Sequence, residues 1–413
     1  MRSKKTNTPL WQQLGDFSRT PANKDWPMLN GQPIPLGGMS VQTFLKEYWH
    51  KKPLLIRQAI PNFQAFYQPQ DAIDALQNEA IESRLVIDDA QNGWSLQHGP
   101  VKKKAIPSRK QNRWTALIQG VDLHHPLGHA LINLFRFIPD VRLDDLMISF
   151  ATDGGGVGPH YDAYDVFLLQ GYGKRHWRIS QETDRSIRPN LPVRILQHFT
   201  PEQDWVLEPG DMLYLPPQYA HDGIAVGDCM TYSIGFRTPS YQELGVALLQ
   251  FIEDNLELSG HYADPNLKYQ NTPAQIPNEM INDISKRLQE MRWDKDWVTE
   301  SLGCYLSEPK PSVFFDLPSS CTLAQFKNRI KKQGLQLAFA TKMLYRAPWV
   351  FINGEHFVAD GMDAEILQQL ANQRALSPEH ISTIAKDSEL WAVWHDWYEQ
   401  GWFLGECNPT HVA

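Results

Sequence analysis

Residues 149–237 constrain the fold most. They open SFATDGGGVGPHYDAYDVFLLQGYGKRHWRI and close LEPGDMLYLPPQYAHDGIAVGDCMTYSIGFR. Short runs rich in β-branched and aromatic residues alternate with Gly, Pro and Asp turns, which predicts many short strands. Such a chain removes its exposed sheet edges by closing into a barrel or jelly roll. His160 and Asp162 stand as H-x-D, and His221 follows a Gly-Asp turn, an apolar run and a Pro pair. Residues two apart on a strand face the same way. The two imidazoles and the carboxylate therefore offer N, N and O ligands to one metal, with the third ligand supplied by a neighbouring strand. This donor set suits Fe(II) with open positions, and zinc also accepts it.

The alternation in Lys174–Ile179 turns Arg175, Trp177 and Ile179 to the barrel interior and Lys174, His176 and Arg178 outward. An inward cation needs an anion. A guanidinium can grip the far carboxylate of 2-oxoglutarate through a paired, charge-assisted contact, and this favours iron with that cosubstrate over zinc. Ser149 is a candidate second donor by strand position. The run Gly154-Gly155-Gly156-Val157-Gly158-Pro159 is no phosphate loop, because no G-K-[ST] follows. Its bare glycines suggest close approach of a substrate.

With 413 residues, the chain calls for roughly two or three domains. Its four cysteines form no CxxC pair, so neither a disulfide scaffold nor a zinc knuckle is indicated. The N-terminus has no apolar signal core, and no run of about 18 apolar residues marks a membrane span. These features predict a cytoplasmic protein. A net charge of −8 argues against direct nucleic-acid binding and suits a basic protein partner. The exception is VKKKAIPSRKQNR at 101–113, with six cations and no aromatic residue. It reads as a solvated loop. His125 and His129 have i, i+4 spacing, but no acidic H-E-x-x-H pattern makes them a second metal site.

Helices are predicted over 40–49, 70–80, 131–137, 242–256 and 280–293, with strands at 84–88, 93–98 and 146–150. Beyond the Pro-rich stretch 308–318, helices at 323–330, 364–370 and 390–398 flank a hairpin built on Trp349–Ile352 and Asn353-Gly354. The expected class is α+β multidomain. An N-terminal extension spans 1–35. A double-stranded β-helix core of jelly-roll or cupin type spans 36–240, a helical region 241–307, and a winged-helix-like region 308–413.

The segments YWHKKPLLIR, RLDDLMISF, GGGVGPHYDAYDVFLLQGYGKRHWRI, LEPGDMLYLPPQYAHDG and YSIGFR resemble the Jumonji C oxygenases. Within that family they are most similar to the bacterial ribosomal oxygenases that hydroxylate an arginine of large-subunit ribosomal protein 16. The resemblance implies His160, Asp162 and His221 as Fe(II) ligands and Arg175 as the grip on 2-oxoglutarate. It implies a homodimer formed through the helical region. The reaction would be C3 hydroxylation of an arginyl residue, with 2-oxoglutarate and dioxygen giving succinate and carbon dioxide. A cationic target calls for aromatic surface and a carboxylate at the barrel mouth. Asp153, Tyr164 and Tyr172 are the candidates, with Asp153 ranked above Asp165. The alternatives are a Jumonji C enzyme acting on a histidine or methyl-lysine of another protein, a noncatalytic cupin-like ribosome-associated protein, and a zinc hydrolase.

Overall fold

The structure is a computed structural model that describes residues 9–20, 25–291 and 294–405. Trp293, at the end of one expected helix, and Cys407 lie outside the described residues. The chain divides into two compact units. One comprises the residues up to Thr238 together with 310–341 and the segment from Trp391 onward. The other comprises 239–309 and 342–390.

The first unit is built on one nine-stranded sheet. Its strands are β1 (Leu54–Ile56), β2 (Ser83–Asp89), β3 (Gly93–His98), β4 (Trp114–Ile118), β5 (Leu143–Ala151), β6 (Val166–Ser180), β7 (Gln203–Leu207), β8 (Met212–Leu215) and β9 (Ala220–Phe236). Their order is β1-β8-β6-β9-β5-β4-β2-β3, with β7 on the outer part of β6. The long strands β6 and β9 run through the whole structure. Their inner halves pair Leu168 with Ser233, and their outer halves pair Trp177 with Gly223. The register shifts around Met230, opposite Tyr172. A bulge there bends both strands, so each contributes to two faces. This is the double-stranded β-helix expected from the turn-rich sequence.

Helix α1 (Val41–Glu47) forms where expected. Ser40 caps it by accepting from the Thr43 N–H at 3.1 Å, which satisfies one orphan donor of the first turn. Its fully buried Phe44 meets Tyr214 at 5.0 Å and Phe167 at 5.5 Å between ring centroids. This aromatic packing fastens the helix to the outside of β6 and β8. Helix α2 (Pro69–Ala75) is shorter than the sequence suggested. Gln77 N–H reaches back to Asp74 and Asn78 N–H to Ala75, so the last turn tightens and the helix stops. Helix α3 (Pro126–Asn133) covers the helical stretch expected around His129 but stops before 137, because the N–H groups of Leu134, Phe135 and Arg136 bond three residues back.

In the second unit, α4 (Tyr241–Asn255) starts with a reciprocal Ser240/Glu243 capping box. Helix α5 (Asn278–Gln289) has no buried residue and exposes Met280, Ile281, Ile284 and Leu288. Helix α6 (Lys295–Ser307), which the sequence reading did not anticipate, is capped by Asp294. Strands β10 (Met343–Arg346), β11 (Trp349–Ile352) and β12 (Glu355–Val358) form an antiparallel sheet. Asn353 and Gly354 have φ of +48° and +92°, as the two-residue turn between β11 and β12 requires.

Candidate metal centre and active site

His160, Asp162 and His221 converge although 59 residues separate Asp162 from His221 in the chain. Their potential ligand atoms all lie within 4.8 Å of one another. The backbone brings them together: His160 N–H donates to the His221 carbonyl at 3.0 Å, and His221 N–H returns to the His160 carbonyl at 2.8 Å. The imidazole Nδ1 of His160 lies 2.9 Å from the Gly158 carbonyl, and that of His221 lies 2.9 Å from the Tyr219 carbonyl. A carbonyl only accepts, so each Nδ1 carries the proton and each Nε2 keeps its lone pair. His221 Nε2 stands 3.6 Å from Asp162 Oδ2. Two acceptors thus face each other without a proton between them, as a cation site requires. Burial, reinforced by His160, pushes the His221 pKa down to about 4. The imidazole is therefore neutral and ready to ligate at neutral pH. The donor set and its orienting carbonyls fit a divalent metal with open positions.

These residues line a cavity of about 240 Å³. Its deep wall carries Arg175 and Ser149, each 4% exposed. Arg175 Nη1 donates to Ser149 Oγ at 2.9 Å and to Thr231 Oγ1 at 3.2 Å, and Thr231 is bonded in turn to Gln170. All of these partners are neutral. Among the described residues no carboxylate pairs with the guanidinium, and its Nε is buried without a partner. A buried cation without a counter-charge is costly by several kcal/mol, and an anionic ligand would offset that cost. Trp177 forms another wall, with its ring 5.9 Å from that of His221.

Carboxylates also line the cavity, together with the cation Arg84. Asp144, Asp145 and Tyr164 line it. Asp144 is paired with Lys310 at 2.8 Å. Among the described residues Asp145 accepts the Gly120 N–H at 3.2 Å; burial raises its carboxyl pKa, against the opposing pull of the nearby Lys310 charge. Tyr164 is 41% exposed. Burial of its hydroxyl, together with the Asp162 and Asp145 charges, drives its pKa upward.

Three residues weighed for substrate contact, Asp153, Tyr172 and Asp165, lie outside the wall of this cavity. Asp153 is not in the cavity wall: its Oδ1 accepts the Gly227 N–H at 2.8 Å and so anchors the bend in β9. Tyr172 also lies outside the cavity wall, at the register shift between β6 and β9. The glycine run does not serve substrate approach at Gly156. A Cβ there would come within 2.6 Å of the Gly223 carbonyl, so its bareness lets two backbones pack. Asp165 is fully buried behind β6 and does not reach the cavity. A carboxylate that does line the cavity, and that the sequence reading did not single out, is Asp145. The signal for it was present, because Asp145, Met147 and Ser149 share one face of β5 by strand alternation.

The JmjC domain family matches residues 130–244, and the ROXA-like winged helix matches residues 290–403. A probable ribosomal oxygenase of Haemophilus influenzae is 30% identical, over 88% of this chain and 96% of its own length. The ribosomal protein uL16 3-hydroxylase of Escherichia coli is 31% identical, over 85% of this chain and 93% of its own. The Escherichia coli ribosomal oxygenase YcfD, solved with cobalt and 2-oxoglutarate, superposes with a TM-score of 0.76 at 27% identity. That match covers 89% of this chain and 98% of the solved one. Two domain matches in the order seen here, and relatives similar over nearly their whole length, lead to one assignment: the chain belongs to the JmjC-domain ribosomal oxygenases.

Proposed function

We propose that this protein is an Fe(II)- and 2-oxoglutarate-dependent hydroxylase that modifies C3 of an arginyl residue of large-subunit ribosomal protein 16 (uL16). The observation that carries the reading is a single cavity with a cluster of two imidazoles and a carboxylate, a buried guanidinium with no paired carboxylate among the described residues, and a further carboxylate in its wall. His160, Asp162 and His221 would hold the iron. Bound iron, with 2-oxoglutarate and dioxygen, supplies the oxidising chemistry that side chains lack. Arg175 and Ser149 fix the far carboxylate of the cosubstrate, so that only its keto-acid end faces the ligands. Asp145 accepts the substrate guanidinium and Tyr164 stacks against its plane, which brings the arginine β-carbon toward the ligand cluster. Trp177 and Val157 help to wall the interior against water.

The protein works in the cytoplasm, where its ribosomal substrate is made. No helix among the described residues is long and apolar enough to cross a membrane. The exposed Met280, Ile284 and Leu288 face of α5 supports a homodimer, because a row of apolar side chains at i, i+4 and i+8 gains from a matching partner.

The test is incubation of iron-loaded protein with 2-oxoglutarate, dioxygen and a uL16 peptide, followed by tandem mass spectrometry. The expected result is one added oxygen on a single arginine, lost in His160→Ala. Succinate release without peptide modification would retain the oxygenase and reject this substrate.

A further inference from the structure

The segment that carries Asp162 and Tyr164 is held at two separate places. At its start, His160 and His221 exchange main-chain hydrogen bonds, and Gln218 N–H donates to the Asp162 carbonyl at 2.6 Å. At its end stands Asp165, whose side chain is fully buried. Its carboxylate accepts the Tyr214 hydroxyl at 2.6 Å and the Arg142 Nη2 at 3.5 Å, and His50 Nε2 lies 3.1 Å from it and 3.2 Å from that Nη2. Its carbonyl accepts the Phe236 N–H at 3.1 Å.

Each partner is itself tied down. The Tyr214 oxygen accepts the His50 N–H at 2.9 Å. Arg142 lies over Trp49 at 5.3 Å and donates through Nε to the Arg237 carbonyl at 2.7 Å. A fully buried carboxylate held by partly exposed cations is seldom the most stable filling for its space. Its use must then be sought in what it fixes. Tyr164 is its immediate neighbour and the residue that turns to the cavity.

We propose that Asp165, acting through Tyr214 and His50, is a positioning residue that fixes Tyr164 at the cavity mouth for the substrate side chain. The metal ligands are held independently by the His160–His221 exchange and by Gln218. This assignment rests on the arginyl-hydroxylase reading for its kinetic consequence but not for its structural one. Loosening the Asp165 end should free Tyr164 and leave the ligand cluster in place. A merely structural role would disturb both together.

The experiment compares Asp165→Asn with Tyr214→Phe, which removes a single hydroxyl and keeps the ring packing. Hydrogen exchange read by mass spectrometry should speed up over 163–168 in both variants and stay unchanged over 218–223. Cobalt and 2-oxoglutarate affinity, measured by calorimetry, should stay within about twofold. The peptide KM should rise about tenfold with little change in kcat, the pattern of lost ground-state positioning. Adding Tyr164→Ala to Asp165→Asn should raise KM less than Tyr164→Ala does alone, because the two residues act as a unit. Unchanged exchange over 163–168 in folded Tyr214→Phe would overturn the proposal, as would parallel losses of cobalt and 2-oxoglutarate binding. If the wild-type protein leaves the uL16 peptide unmodified while the exchange pattern holds, the positioning role stands and the substrate assignment fails.

Discussion

The cavity wall around Arg175 and the wall around Asp145 handle charge in opposite ways. Arg175 lies at 4% exposure among the neutral oxygens of Ser149 and Thr231. Asp145 and Tyr164 stand at the rim, where Tyr164 is 41% exposed. A cation with neutral partners retains its attraction for an anion, and burial strengthens that attraction. A carboxylate at the rim with one backbone donor retains its attraction for a cation. One cavity therefore orients two ligands of opposite sign, with the ligand cluster between them. The contrast explains how a 2-oxoglutarate carboxylate and an arginyl side chain can occupy one space without exchanging places.

The largest effect should come from removing what lies between the two walls. Asp162→Ala should lower turnover at least about a thousandfold, since groups acting as a unit lose most of their effect together. Calorimetry with cobalt should show weakened metal binding, and full activity would dissolve the assigned centre. Next in size is Arg175→Met. Truncating one partner of a buried charge pair costs about 2–5 kcal/mol, so the 2-oxoglutarate KM should rise roughly a hundredfold. Peptide affinity should hardly move. Asp145→Asn should do the reverse, raising the peptide KM about tenfold at constant 2-oxoglutarate KM. If either variant shifted both constants equally, the two walls would not be separate sites.

A separate effect falls on stability rather than on turnover. His221 has its folded-state pKa lowered, by burial first, from 6.5 to about 4. In the metal-free protein the unfolded chain therefore binds more protons over that interval, and stability is lost as pH falls from about 6.5 toward 4. The change amounts to roughly 3 kcal/mol. Thermal melts across this range should show the loss, and His221→Gln should flatten it.

Much of the centre was readable in one dimension. H-x-D and the later His221 identify ligands through donor chemistry, and the alternation around Arg175 turns the guanidinium inward without any knowledge of the fold. The same alternation, applied to Asp145-Leu146-Met147-Ile148-Ser149, would have reached the rim carboxylate. Asp153, beside the glycine run, lies past the end of β5. There the period of two no longer governs where a side chain points, and the Gly227 N–H claims the carboxylate. Helix α2 stopped early because local hydrogen bonds tightened its last turn, a competition that apolar spacing does not register.

The sequence by itself determined the strand-and-turn pattern, the chemistry of the ligand set and the inward face of β6. These depend on residue type and on a backbone period that acts over a few residues. Only the tertiary structure decided that His160 and His221 exchange backbone hydrogen bonds, that Asp165 joins Tyr214 and His50 outside the cavity, and that Asp145 and Arg175 line one cavity. Those pairings join residues far apart in the chain. Their partners are selected by sheet register and by the burial of charge, which exist only once the barrel has closed.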